Sequence, residues 1–185
     1  MSRTKAIIGV ENVVATGTLD DELDLGFITI NFPDTNYNPD RFPGLVFRLK
    51  KPKTTILLFR TGKMVCTGAK SEKQAEEAIR TTVHRLKRGG VKIINEATVK
   101  IENIVASVNL GGQVHLEESA RLLPRSIYEP EQFPGIILRI TKPKVVFLIF
   151  ASGKLVCTGA KNETDIHKAV QHIHNELENK DLMIY

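Results

Sequence analysis

The sequence predicts an α+β fold, an antiparallel sheet assembled from two tandem, pseudo-symmetric repeats with helices on one of its faces. Three observations predict it. The chain is written twice, VCTGAK standing at 65–70 and again at 156–161, an offset of 91 residues. Each copy closes on a long segment with helical periodicity. The strand-like runs TTILLF and VVFLIF are apolar on both sides, whereas an antiparallel sheet with one wet face alternates apolar and polar residues.

The duplication is extensive. Between Glu11 and Lys70 the two copies align without a gap and 26 of 60 positions are identical. Phe42-Pro43-Gly44 falls on Phe133-Pro134-Gly135, Lys51-Pro52-Lys53 on Lys142-Pro143-Lys144, and Phe59 on Phe150. A period of 91 residues is too long for a solenoid, so two copies about a pseudo-twofold axis are expected. With the boundary near Gly89-Gly90, the first repeat is 1–91 and the second 92–185.

Within a repeat the expected order is strand, helix, strands, helix. GVENVVATGTL reads as the first strand, and Leu23 to Phe32, with its partner Val114 to Leu123, as a short helix. LVFRL, TTILLF and MVCTGA, separated by Lys-Pro-Lys and Thr-Gly-Lys turns, read as an antiparallel meander. Ala75, Ile79, Val83 and Leu86 then share one face of a helix opened by a Ser71-x-x-Gln74 capping box. Ile166, Ala169, Val170, Ile173 and Leu177 repeat that face after Asn162, with Asp165 three residues past the cap. Two long and two short helices are too few to cover both sides of a sheet of roughly ten strands. One apolar sheet face is therefore expected to await a partner.

Composition narrows the class of partner. At 185 residues and 42% hydrophobic the chain can bury a core, and its net charge of +5 favours an acidic partner such as nucleic acid. The N-terminal residues lack the apolar region of a signal peptide, and no apolar run approaches the ~20 residues of a membrane span. No membrane partner is expected. Cys66 and Cys157 are not in CxxC spacing, and their alternation with Val65, Thr67, Val156 and Thr158 places them in the core.

Catalytic signatures are missing. The chain has no nucleophile elbow, no GxxxxGK[ST] phosphate loop and no HExxH, so no catalytic residue, no metal ligand and no cofactor is expected. None of the five histidines, His84, His115, His167, His172 and His174, is repeated at the offset, and all five read as solvated surface residues. What repeats is different in kind: four phenylalanines, the asparagines Asn12 and Asn103, and the cation pairs Arg48/Arg139, Lys63/Lys154 and Lys70/Lys161. Cations beside apolar strands suit a surface whose rim meets phosphates and whose floor meets bases.

ENVVATGTLD, RFPGLVFRLKKPKTTILLFRTGKMVCTGAK and YEPEQFPGIILRITKPKVVFLIFASGKLVCTGAK closely resemble the core of the TATA-box-binding protein family, and the resemblance runs from about Ala6 to Leu177. It implies a saddle-shaped sheet, each repeat forming half of the saddle, with the helices on the convex back and the whole acting as one DNA-binding domain. It implies a general transcription initiation factor that binds and bends the TATA element of double-stranded promoter DNA from the minor groove. In this family the residues matching Phe42, Phe59, Phe133 and Phe150 wedge between base steps, a property of the family rather than one these residues dictate.

By the same resemblance, Asn12 and Asn103 donate to the acceptors of the A·T minor groove. Val14, Pro43, Leu57, Val65 and Thr67, with Val105, Pro134, Leu148, Val156 and Thr158, match its floor contacts. The six repeated cations match phosphate contacts, which sets a log-log salt slope of roughly −5. Glu129, Glu131 and Gln132 match the stirrup that recruits transcription factor B, and RNA polymerase follows as a partner; the first repeat carries Asn38 and Asp40 there. Gln132 stands where eukaryotic relatives usually carry leucine, no long N-terminal extension is present, and both features look archaeal. The expected location is then the cytoplasm, on the nucleoid, or the nucleus in a eukaryote. The chain ends at NKDLMIY without the acidic tail of many archaeal relatives. A homodimer would hide the apolar face when DNA is absent. A paralogue that binds transcription proteins without TATA preference is the alternative reading.

Overall fold

The computed structural model describes residues 3–185. Its elements follow the duplicated order. The first repeat contains β1 (Ile7–Thr18), α1 (Leu25–Asn31), β2 (Thr35–Asn36), β3 (Leu45–Lys50), β4 (Lys53–Leu58), β5 (Lys63–Ala69) and α2 (Glu72–Arg88). The second contains β6 (Thr98–Asn109), β7 (Gln113–Val114), α3 (Leu116–Leu122), β8 (Ser126–Tyr128), β9 (Ile136–Thr141), β10 (Lys144–Ile149), β11 (Lys154–Ala160), α4 (Glu163–Asn179) and β12 (Met183–Ile184). The α+β class and the tandem antiparallel architecture are as the sequence predicts.

By packing the chain divides into two compact units. One is Asn12–Glu102; the other joins Asn103–Tyr185 to the segment ending at Glu11. Each unit therefore includes the opening residues of the other repeat's first long strand, Thr98–Glu102 of β6 in one and Ile7–Glu11 of β1 in the other. In the unit Asn12–Glu102 the strands run β2-β3-β4-β5-β1, all antiparallel. In the other unit they run β8-β9-β10-β11-β6, with β12 pairing β7 separately.

Alternation along the strands builds each core. In β3, β4 and β5, Leu45, Phe47, Ile56, Leu58, Met64 and Cys66 are buried, and α2 covers them with Ala75, Ala78, Ile79, Val83 and Leu86. Ser71 Oγ accepts from the Gln74 N–H at 3.0 Å, the first half of the expected capping box, while Gln74 Oε1 accepts from the Lys70 N–H at 3.0 Å, one residue before the cap. In the other unit Ile136, Leu138, Val145, Phe147, Ile149, Leu155 and Cys157 face α4, whose cap Asn162 accepts from the Asp165 N–H at 2.8 Å. Asp24 and His115, which align at the repeat offset, cap α1 and α3 by accepting from the N–H of Phe27 and Glu118.

Two sequence expectations are corrected here. The runs TTILLF and VVFLIF end as strands one residue early, because the Phe59 and Phe150 N–H groups turn to the carbonyls of Lys63 and Lys154. His174 is not solvated: it is 3% exposed on the inner face of α4. It occupies the position that Val83 takes in the first repeat, so it inherits a core site. Thr4 Oγ1 lies 3.5 Å and the Glu178 carboxylate 3.7 Å from its Nε2, so this nitrogen of the buried ring has polar neighbours.

Candidate nucleic-acid interface

The strand face opposite the helices is apolar and half-buried in both units. In the unit Asn12–Glu102, strand pairing lines up Val46, Leu57, Val65 and Thr16 as one row across β3, β4, β5 and β1. Arg48, Thr55 and Thr67 form the next row. The other unit repeats this with Ile137, Leu148, Val156 and Ser107, and with Arg139, Val146, Thr158 and Val105. All the sequence-predicted floor residues of the strands lie on this face. Sequence reasoning missed Val46, Thr55, Thr16 and their partners Ile137, Val146 and Ser107, although the same offset and alternation identify them.

Each asparagine is oriented by a bulge. β5 spends four residues, Cys66 to Ala69, against three in β1, Val13 to Ala15, and β11 bulges likewise between Thr158 and Ala160. The extra residue is Gly68 at φ +93° or Gly159 at φ +103°, a left-handed backbone that a side chain would strain. Its N–H points at the neighbouring strand, so Asn12 Oδ1 accepts from Gly68 at 2.7 Å and Asn103 Oδ1 from Gly159 at 2.7 Å. The amide Nδ2 of Asn12 and of Asn103 lies 3.4 and 3.2 Å from Thr67 and Thr158 Oγ1. The carbonyl oxygen is thus held by the glycine N–H and one Nδ2 N–H meets the threonine hydroxyl, which leaves the second N–H of each amide as a donor.

The phenylalanines stand in two edge-to-face pairs. Phe42 and Phe59 have ring centroids 5.8 Å apart at 71°, and Phe133 and Phe150 5.7 Å apart at 65°. Phe42 is 41% exposed despite its size. Gly44 lets the first pair close, since a Cβ there would come within 2.7 Å of the Phe42 ring and 3.0 Å of Phe59; Gly135 does the same for the second. Pro43 and Pro134 are exposed beside them.

Around the floor, Arg48, Lys63, Lys70, Arg139, Lys154 and Lys161 are all exposed. Glu129, Glu131 and Gln132 are exposed in the turn that precedes Phe133, whose N–H donates to the Glu129 carbonyl at 2.9 Å. Two carboxylates also reach the face: Glu11 accepts from Ser107 Oγ at 2.8 Å and Glu102 from Thr16 Oγ1 at 3.0 Å. The buried thiols take no part, because burial pushes Cys66 up to about 11 and Cys157 to about 12, leaving both un-ionised at neutral pH. Among the described residues no group of three or more His, Cys, Asp or Glu is placed to hold a metal ion. No helix among them is long and apolar enough to cross a membrane.

Oriented donors, an apolar floor and a cationic rim make the class of surface that proteins present to nucleic acid. The family described as transcription factor TFIID, or TATA-binding protein, matches residues 7–89 and 98–180. A TATA-box-binding protein of Sulfurisphaera tokodaii is 50% identical over 173 residues, 94% of this chain and 87% of the relative. Another from Pyrobaculum calidifontis is 52% identical over 168 residues, 91% and 84% of the two chains. The solved structure of Methanococcus jannaschii TBP aligns with a TM-score of 0.85 at 42% identity, covering 93% of this chain and 98% of that one. The chain belongs to the TATA-binding protein family of transcription factors, and its fold is the fold of that family.

Proposed function

We propose that this protein binds A·T-rich TATA elements through the minor groove, bends them by inserting its phenylalanine pairs, and thereby nucleates transcription initiation. The observation that carries the proposal is the pair of fixed asparagine amides. The floor of an A·T minor groove offers only acceptors, the N3 of adenine and the O2 of thymine, while guanine adds an amino donor. Asn12 and Asn103, with Oδ1 held by Gly68 and Gly159 and one Nδ2 N–H on Thr67 or Thr158, each offer the groove their remaining N–H donor. A G·C pair opposite either amide would set donor against donor.

Val14, Leu57, Val65 and Thr67, with Val105, Leu148, Val156 and Thr158, fill the groove without reading it, and Pro43 and Pro134 flank the wedges. Phe42 is 41% exposed and the other three rings less, so burying what remains of the four yields at most about 5 kcal/mol, and contacts of the apolar face supply the rest of what unstacking costs, about a few kcal/mol at each kink. Arg48, Lys63, Lys70, Arg139, Lys154 and Lys161 neutralise phosphates. Glu129, Glu131 and Gln132 recruit transcription factor B, and RNA polymerase joins through that complex. Among free chains, the apolar face is the surface on which a homodimer forms. The two repeats, 1–91 and 92–185, act as one DNA-binding domain in the archaeal cytoplasm.

Energy transfer between dyes at the ends of a short duplex tests the proposal. Wild-type protein is expected to shorten a TATA duplex and leave a G·C-scrambled duplex unchanged. A Phe133→Ala, Phe150→Ala variant is expected to bind with less shortening. Equal binding of both duplexes would remove the promoter-reading function.

A further inference from the structure

The two repeats match in their wedge phenylalanines but not in the charges beside them. Arg41 and Arg60 flank Phe42 and Phe59, whereas the corresponding positions beside Phe133 and Phe150 are Gln132 and Ala151. Asn38 and Asp40 correspond to Glu129 and Glu131. Over residues 37–44 and 59–63 the first repeat therefore carries a net charge of +2, while residues 128–135 and 150–154 of the second carry −1.

The structure places the extra cation on the interface. Arg60 lines an open concavity of about 560 Å³ together with Pro43, Phe59, Lys63 and Val65. A second groove beside Arg60 carries Glu22 and Asp24, and the Asp24 carboxylate is occupied by the Phe27 N–H at 3.0 Å. Among the described residues, neither Arg41 nor Arg60 forms an ion pair. Both are exposed. In the second repeat Ala151 offers no cation at the matching place, and Glu129 and Glu131 add acceptors that repel phosphate.

Resting on the minor-groove reading above, we infer that Arg41 and Arg60 make the first repeat a reader of the DNA flanking the A·T core. Floor contacts of the two repeats are nearly identical, so the core alone orients the protein weakly. Runs of adenine narrow the minor groove and deepen its negative potential, which attracts arginine; G·C-rich flanks do neither. The first repeat then settles toward an adenine-tract flank and the second toward a G·C flank. Arg41 and Arg60 are thus orientation-determining residues, distinct from the six repeated cations that hold either repeat equally.

The test uses a duplex with a palindromic TATATATA core, an adenine tract on one side and a G·C flank on the other. An iron chelate is tethered at Asp20→Cys, which is exposed next to the turn holding Arg60; the native Cys66 and Cys157 are buried and do not compete for the label. Cleavage is expected mainly on the adenine-tract side, and exchanging the flanks should move it. In an Arg41→Gln, Arg60→Ala variant, which installs the second repeat's residues, cleavage should fall equally on both sides and the log-log salt slope should become shallower by about 2. Even cleavage by the parent protein, or a bias that survives in the variant, overturns the inference. Binding that ignores the core, measured against a scrambled duplex, instead overturns the minor-groove reading.

Discussion

At the scale of single residues, function rests on which atoms are already committed. Asn103 can donate outward because its Oδ1 is held by the Gly159 N–H. Replacing it with aspartate keeps the shape but leaves only acceptors against an acceptor-only groove. Asn103→Asp should weaken TATA binding by on the order of tenfold or more and narrow the ratio to a G·C-substituted duplex, read from Kd values at one salt concentration. A variant that binds both duplexes as the parent does would contradict this role. His174 makes a different prediction. Burial lowers its pKa below the ordinary 6.5, and the Glu178 carboxylate opposes that shift. The unfolded chain therefore takes up the proton first, so stability is full above about 6.5 and falls as pH drops below it toward the depressed folded value. Tm measured from pH 7.5 to 5 should decline less in His174→Val, which installs the residue the first repeat uses; an identical decline would place the pH dependence elsewhere.

At the scale of elements, the repeats keep volume rather than identity. Phe47 pairs across the strands with Ile56, and the corresponding pair is Leu138 with Phe147. Each core holds one ring and one aliphatic chain at the same place, with the ring on the opposite strand. Phe47→Leu alone leaves a space and should cost on the order of 1 kcal/mol. Adding Ile56→Phe should restore much of it, because touching residues couple by about 0.5–3 kcal/mol. Urea unfolding of the two single variants and the double variant forms the cycle, and strict additivity would show that the swap is not compensatory. The cation of Arg85 lies 4.8 Å over the Phe47 ring and also pairs with Asp34 at 3.6 Å, so part of the single-variant cost should appear as a looser α2.

At the scale of the whole molecule, the net charge of +5 is the sum of unlike parts. If each of the six repeated cations meets a phosphate the expected salt slope is about −5, and contacts by Arg41 and Arg60 would steepen it to about −7. Titrations between 50 and 400 mM salt should return the steeper value for the parent protein. A slope near −2 would mean that most of the exposed rim does not touch phosphate.

The sequence by itself determined the duplication, the capped helices, the main strands and many of the residues on the strand face opposite the helices, because periodicity and a gapless 91-residue offset survive in one dimension. It also singled out Asn12, Asn103 and the phenylalanine pairs, since both copies carry them. Only the tertiary structure decided how the asparagine amides are turned, because that depends on a bulged glycine 56 residues away in sequence. It alone showed that His174 is a core residue, which an unrepeated histidine conceals until its position is set against Val83. Arg60 lay outside the repeated set, so a reading built on repetition passed over it; its place beside Phe59 and Lys63 is fixed by how the chain folds around that concavity. The 91-residue offset alone shows that Arg41 and Arg60 lack basic counterparts, but contacts between distant segments carry no sequence signature of their own, so only the fold sets Arg60 in a concavity with Pro43 and Val65.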